Sequence, residues 1–512
     1  MPAAKPSLFA FSHLCSPDYV TGAEKSLLFM LRELQPSYDC TLIVPGEGVI
    51  SAKARAAGMQ VIVQPLPLVW SIYYGKALPY DELREALKAS SWPALVRMLE
   101  SRRPDAVLVS TVVHPLPALA ARALGIPILW AVMETIQETA FAEAAADFIG
   151  AHADRIISPS AASLRPFYKP EHREKSVILP PSWHMEELAP TEWEVNRGSL
   201  RRQLGVVDGQ PLIGYMAAAI YENKGFHHYI EMAMRLADVY PSARFLVIGN
   251  VTDPPYFEQT LNQARSRGRL ELIRWIRFEE RIERIIPAMD VLVVPSLAPE
   301  GFGMVALEGM IFGKAVVSYA SGGLAEIHEA TGNGAYAVPT GDIDGLTERV
   351  GQLIASGQLE EVGLRNRQAA AAFGIESYRE RLGRLLQQFR PGPVKPVNLV
   401  KGGSATIYLF EGGELRPFVT ERAFLARGCR FEDVKHLPDE WIDAMPLGQP
   451  IGRPARVKRR IRGRKRRRRG AVRKLHPRRR KTRRPASTQR GKRRMRLRKA
   501  AKNRLRSRWE GR

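Results

Sequence analysis

Two carboxylates, Glu300 and Glu308, stand eight residues apart in the segment 291–326, VLVVPSLAPEGFGMVALEGMIFGKAVVSYASGGLAE. The apolar run Val291–Pro295 predicts a strand, Glu300-Gly-Phe-Gly303 a loop, and a helix is expected to begin near Met304. Glycines in such a loop let backbone N–H groups approach a ligand closely. A helix N-terminus adds free N–H groups and the positive end of the helix dipole, which makes it a ready anion site. A diphosphate meets both conditions. Glu308, one turn into the helix, could accept hydrogen bonds from the two vicinal hydroxyls of a ribose. Glu300, in the loop, could reach a sugar beyond the phosphates. The plain alternative is a pair of solvated surface acids, since this spacing is common; only its setting makes it specific.

Other chemistry-bearing residues lie at expected strand ends. Lys224 sits in Asn223-Lys-Gly225, where it could neutralise phosphate or simply cap a loop. His114 follows the apolar run Val107–Val113, and Glu134 closes Pro127–Met133. Either could meet a sugar or an acceptor; His114, beside Pro115, could equally be structural. His13 has a similar position. Trp70, Tyr73 and Tyr74 could stack on a sugar, although aromatic clusters more often pack.

These residues need a scaffold, and the sequence supplies an alternating one. Leu8–Ser12, Cys40–Val44, Val61–Val63, Ala106–Ser110, Pro127–Val132 and Ile156–Ser158 read as buried strands. Amphipathic stretches such as Glu24–Leu34, Ser51–Ala57 and Leu116–Leu124 separate them. The pattern restarts with Leu212–Met216, Ala243–Ile248, Leu270–Ile273, Val291–Pro295 and Ala315–Ser318. Strand, helix, strand in this order predicts doubly wound parallel sheets. The fold class expected is therefore α/β, with two Rossmann-like domains, 1–195 and 196–390, and a linker near Pro180–Arg201. Helices are expected at Gly345–Ser356 and Ser377–Phe389. A stiff Pro-rich linker, 391–396, then precedes a small module, 397–451. There Thr406–Phe410 and Arg416–Val419 read as a hairpin around Glu411-Gly-Gly-Glu414.

The segment around Glu300 and Glu308 resembles the E-x7-E region of family 4 retaining glycosyltransferases, and the likeness extends along roughly residues 7–390. Gly22-Ala-Glu-Lys-Ser-Leu resembles that family's first glycine loop, Asn223-Lys-Gly225 its Lys-Gly, and Gly322-Gly-Leu-Ala-Glu326 and Gly332-Asn-Gly334 its later signatures. The resemblance implies two domains facing across a cleft (GT-B) and transfer of a sugar from a nucleotide diphosphate, with retention. It assigns Lys224, Gly225 and the loop and helix start Phe302, Gly303, Met304 and Val305 to the donor phosphates, and Glu308 to the ribose. Glu300 and His114 take the catalytic positions, and Gly22 and Glu134 the acceptor or N-terminal-loop side. No metal and no cofactor is implied beyond the substrate, a UDP- or GDP-linked sugar. The acceptor would be a glycan or a lipid-linked molecule, in bacterial envelope or exopolysaccharide synthesis. The helix Ser377–Phe389 would cross back to brace the first domain. Three departures stand out. Ala218 and Ala219 occupy the place of an arginine, Thr21-Gly22 replaces a glycine pair, and Arg277-Phe278 stands where a glycine often borders the base pocket. With Ile407-Tyr-Leu, Gly413, Arg416-Pro417, Phe424, Gly428 and Pro446-Leu-Gly448, the module 397–451 resembles a short repeat-like module of actinobacterial and other bacterial surface-associated proteins, with binding or docking as its default role.

Charge is unevenly spread along the 512 residues. The net charge is +25, yet 32 of the 77 Lys and Arg lie from Gly452 onward with a single acid, Glu510. The rest carries 45 bases against 51 acids, so the body is mildly acidic. The tail 452–512 is a block of like charge expected to be disordered. Three readings stay open for it. It could anchor peripherally to anionic lipid, at roughly 1 kcal/mol per basic residue. It could bind nucleic acid or another polyanion, or it could come from a misread GC-rich frame. Cys15, Cys40 and Cys429 form neither a disulfide framework nor a metal spacing. With no signal peptide and no apolar run of membrane-spanning length, the expected location is the cytoplasm, free or at the inner face of the membrane. A non-catalytic scaffold of the same fold, for which Ala218 and Ala219 speak, is the competing expectation.

Overall fold

Continuous apolar runs can be buried on both faces only inside parallel sheets covered by helices. A computed structural model, which describes residues 4–76, 80–277, 279–389, 399–437 and 439–452, has two such sheets. Phe278, the linker 391–396 and the tail from residue 453 lie outside the described residues. The first sheet contains β1 (Ser7–Phe11), β2 (Asp39–Val44), β3 (Gln60–Val63), β4 (Ala106–Ser110), β5 (Ile128–Ala131), β6 (Arg155–Ser158) and β7 (Ser176–Ile178), in the order β3-β2-β1-β4-β5-β6-β7. The second contains β8 (Leu212–Ile220), β9 (Arg244–Val251), β10 (Ile273–Ile276), β11 (Val291–Val294), β12 (Ala315–Tyr319) and β13 (Ala337–Val338), in the order β10-β9-β8-β11-β12-β13. Both are parallel throughout. Strand order reverses between β1 and β4 and between β8 and β11. In doubly wound sheets the crevice at the carboxyl ends of such strands is where ligands bind.

Two expectations are corrected. Leu270–Leu272 is a 3-10 turn, and the strand runs over Ile273–Ile276 instead. It is an edge strand in which Arg274 and Trp275 are both exposed, so it forms no continuous buried apolar run. The stretch Pro180–Arg201 is a linker only in its first part. Trp193–Leu204 is a single helix, continuous through the expected boundary at 195/196. Its inward face is only partly apolar. Trp193 and Leu200 join the second core, while Arg197 and Arg201 pair with Asp290 at 2.7 and 3.0 Å. That charged pairing hid its periodicity.

The helix Ile375–Gln388 packs Tyr378, Leu382 and Leu385 into the first domain's core, beside Leu8, Leu27 and Leu31. The last described segment is a four-stranded sheet of β14 (Leu399–Lys401), β15 (Tyr408–Glu411), β16 (Glu414–Pro417) and β17 (Lys435–His436). β15 and β16 form the expected hairpin around Gly412-Gly413. This sheet shares its interior with the first domain. Val400, Phe410, Leu415 and Trp441 lie in one apolar cluster with Leu83, Trp92 and Leu95. The Trp92 indole N–H donates to the Gly413 carbonyl at 2.8 Å.

Candidate functional site

A cavity of about 620 Å3 opens between the carboxyl ends of β1, β4 and β5 on one side and β8 and β11 on the other. That volume lies within the range of small-molecule and cofactor sites. On the second domain's side, β11 ends at Val294 and the loop 295–303 leads into the helix Met304–Ile311. Gly303 caps that helix at φ +114° and offers no side chain to its first N–H groups. Glu308 lies on the same helix, with its side chain 6% exposed. Lys224 is brought to this loop by Gly225. A Cβ at Gly225 would lie 1.9 Å from the Pro295 carbonyl oxygen, and its φ of +66° also disfavours other residues. A side chain at this position would push the turn after β8 away from the end of β11.

The result is a compact charged cluster. Lys224 Nζ lies 2.6 Å from Glu300 Oε1, and the Ser296 hydroxyl donates to the same oxygen at 2.6 Å. Burial raises the Glu300 carboxyl, but the ammonium and the hydroxyl outweigh it and hold it below the usual carboxylate value. Burial alone would lower Lys224; Glu300 reverses this and keeps it protonated.

The first domain closes the other side. The helix Gly22–Leu34 starts with a capping box, in which Thr21 accepts from the Glu24 N–H and Glu24 accepts from the Thr21 N–H. This fixes the first turn, from which Lys25 crosses the cleft to Glu308 at 2.9 Å. Gly22 faces the second domain: a Cβ there would meet Met304 Cγ at 3.6 Å, an ordinary contact. Glu134 lines the cavity beyond β5 and accepts from the Val112 N–H at 3.1 Å. Burial pushes its carboxyl up to about 7, against the pull of that N–H. Between β4 and Val112, Thr111 holds φ +76°, a strained conformation of the kind that clusters at functional sites. His13 lines the cavity and is lowered to about 4 by burial. His114 is not among the lining residues; its ring lies edge-on to Phe11 at 6.2 Å. Burial, and then His13, lower it to about 3, so it is neutral at physiological pH.

The structure thus gathers Lys224, Phe302, Gly303, Met304, Val305, Glu300, Glu308, Gly22 and Glu134 around one cavity. Gly225 lies just behind Lys224, and His114 behind the wall. Lys25 and Ser296 were not legible from the sequence. No spacing rule links Lys25 to a carboxylate 283 residues away. Trp70, Tyr73 and Tyr74 line the cavity, with Trp70 and Tyr74 over 40% exposed. The domains also touch beside the cavity. Glu326 accepts from the Ala161 and Ala162 N–H groups at 2.8 and 2.6 Å, and the Ser160 hydroxyl donates to the Gly301 carbonyl at 2.6 Å.

Residues 196–372 match the family model for glycosyl transferases group 1, and residues 21–173 match that of the glycosyl transferase 4-like domain. A 2-deoxystreptamine N-acetyl-D-glucosaminyltransferase of Streptomyces fradiae is 32% identical over 161 residues, 31% of this chain and 37% of that protein. A lipopolysaccharide 1,2-N-acetylglucosaminetransferase of Salmonella typhimurium is 26% identical over 181 residues, 34% of this chain and 45% of that protein. The alignments with these curated relatives span a third to a half of the relatives' length. Among solved structures, Anabaena HepE in complex with UDP-glucose superposes with a TM-score of 0.61 at 18% identity, over 75% of this chain and all of that one.

Proposed function

We infer that this chain, which belongs to the glycosyl transferases group 1 family and has the GT-B fold, transfers a sugar from a nucleoside diphosphate, UDP first among the candidates, to a glycan or lipid-linked acceptor with retention at the anomeric carbon. The observation that carries this reading is the meeting of Lys224, Glu300 and Glu308 at the start of one helix, inside a cavity between two switch points. The complex of a relative by fold with UDP-glucose supports the choice of donor, and the Salmonella relative named for lipopolysaccharide supports a glycan or lipid-linked acceptor.

On this reading the diphosphate lies against the N–H groups of Gly303–Val305, with Lys224 as its cation. Glu308 accepts the ribose hydroxyls, and Glu300 the hydroxyls of the sugar. The bond between the anomeric carbon and the diphosphate oxygen breaks. A bond to the acceptor oxygen forms on the same face, and the acceptor proton passes to the departing phosphate. Negative charge grows on that phosphate, so fixed positive groups aimed at it do most of the catalytic work. His114, buried behind the cavity wall rather than lining it, has no contact with substrate in this scheme, which corrects its expected catalytic position.

Turnover of a radiolabelled nucleotide sugar tests the assignment. Glu300→Ala is expected to lower turnover by about 100- to 1,000-fold, the scale for losing one preorganised polar group. Glu308→Ala is expected to do likewise, with both variants still folded by circular dichroism. Undiminished turnover by both would overturn the site.

A further inference from the structure

Lys25 has no role in the scheme above, yet it occupies the ribose position. Its ammonium lies 2.9 Å from Glu308 Oε1 and crosses from the first domain to the second. Among the described residues, the cavity is lined by two lysines, Lys224 and Lys25, and by no arginine. Ala217, Ala218 and Ala219, which line it at the end of β8, contribute no charge. A diphosphate would therefore find one lysine on its own domain, and that lysine is already shared with Glu300.

Ribose hydroxyls and Lys25 compete for one carboxylate. When the hydroxyls take Glu308, Lys25 loses its partner in a partly buried site, where an unpaired charge is costly. The nearest anion would then be the diphosphate at Gly303–Val305, one helical turn (~5.4 Å) from Glu308. A lysine's flexible four-carbon stem can make that move. The capping box at Thr21 and Glu24 holds the turn that carries Lys25 in place.

We propose, on the donor-site reading given above, that Lys25 is the second cation for the donor diphosphate, moving there from Glu308 as the nucleoside displaces it. Phosphate charge then ties the first domain to the second, through Lys25 on one side and Lys224 on the other. A nucleoside without phosphates breaks the Lys25–Glu308 pair and receives nothing in return.

The contrast between uridine and UDP tests this, by titration calorimetry on the full chain. Lys25→Met is expected to weaken UDP about 10- to 50-fold, the scale of one charge-assisted hydrogen bond. The same variant is expected to bind uridine at least as tightly as wild type, because Glu308 is no longer occupied. Lys25→Arg should keep most of the affinity for UDP. If GDP or ADP is the nucleotide bound, guanosine or adenosine replaces uridine. Equal weakening of nucleoside and diphosphate in Lys25→Met would make Lys25 merely structural and overturn the proposal, as would unchanged affinity for the diphosphate. A wild-type chain that binds no nucleoside diphosphate overturns the donor-site reading itself, which separates the two failures.

Discussion

Burial pushes Glu134 and the neighbouring imidazoles in opposite directions, and the signs make them separable. Glu134 rises from 4.5 to about 7, so the unfolded chain releases this proton more readily than the folded one. Its contribution to stability is present below pH 4.5 and is lost as pH rises through 7. His13 and His114 fall from 6.5 to about 4 and about 3. Their contribution is present above pH 6.5 and is lost as pH falls toward those values. Glu134→Gln should therefore be closer to wild type in stability at pH 5 and more stable than wild type at pH 8. The difference should be about 1–3 kcal/mol by urea unfolding, since each tenfold change in proton affinity is worth ~1.4 kcal/mol. A constant offset at both pH values would show that Glu134 is not a buried acid. Glu300 and Glu308 also separate at this scale. Glu300 is neutralised within its own domain by Lys224 and hydrogen-bonded by Ser296, while Glu308 is paired across the cleft.

Among the elements, the site depends on how strand ends are turned. Gly225 lets the turn after β8 pack against the chain leaving β11, and a Cβ there has no room beside the Pro295 carbonyl. Gly225→Ala is expected to cost about 1–3 kcal/mol or more from backbone conformation alone, read as a lowered urea midpoint, and to weaken donor binding by displacing Lys224. A midpoint equal to wild type would refute the close packing. The central strands were legible in the sequence because strands buried on both faces are continuous apolar runs, as in Val107-Leu-Val109 and Val291-Leu-Val-Val294. Of the edge strands, β3 was legible as Val61–Val63, but β7, β10 and β13 were not. β7 and β13 are three and two residues long, and the middle of β10, Arg274 and Trp275, is exposed. Glu308 and Lys224 were legible because each sits in a local pattern, a helix start and a Lys-Gly turn. Lys25 was not, since its meaning comes from a contact across the cleft.

Across the whole molecule, the sheet β14–β17 behaves as part of the first domain. Phe410, Leu415 and Trp441 lie in the same cluster as Trp92 and Leu95, and each fully buried side chain of this size contributes on the order of 1.5–3 kcal/mol. A chain ended at residue 389 should expose Trp92 and Leu83 and lose stability or aggregate. A chain ended at residue 452 should keep its melting temperature and its turnover. If the chain ending at 389 melts like the longer one, the sheet is an independent attachment. Removing 453–512 should also abolish any binding to nucleic acid or anionic vesicles while leaving transfer intact, because the body without the tail is mildly acidic.

Everything above turns on one cavity between two domains holding a nucleotide sugar, with Glu308 on its ribose. Titration of the full chain with a panel of UDP-, GDP- and ADP-sugars decides it. At least one of these should bind, and Glu308→Ala should weaken that binding about 10- to 100-fold, the loss of charged hydrogen bonds worth ~1.5–3 kcal/mol. A folded wild-type chain that binds none of them would refute the donor site and leave a glycosyltransferase fold serving as a scaffold.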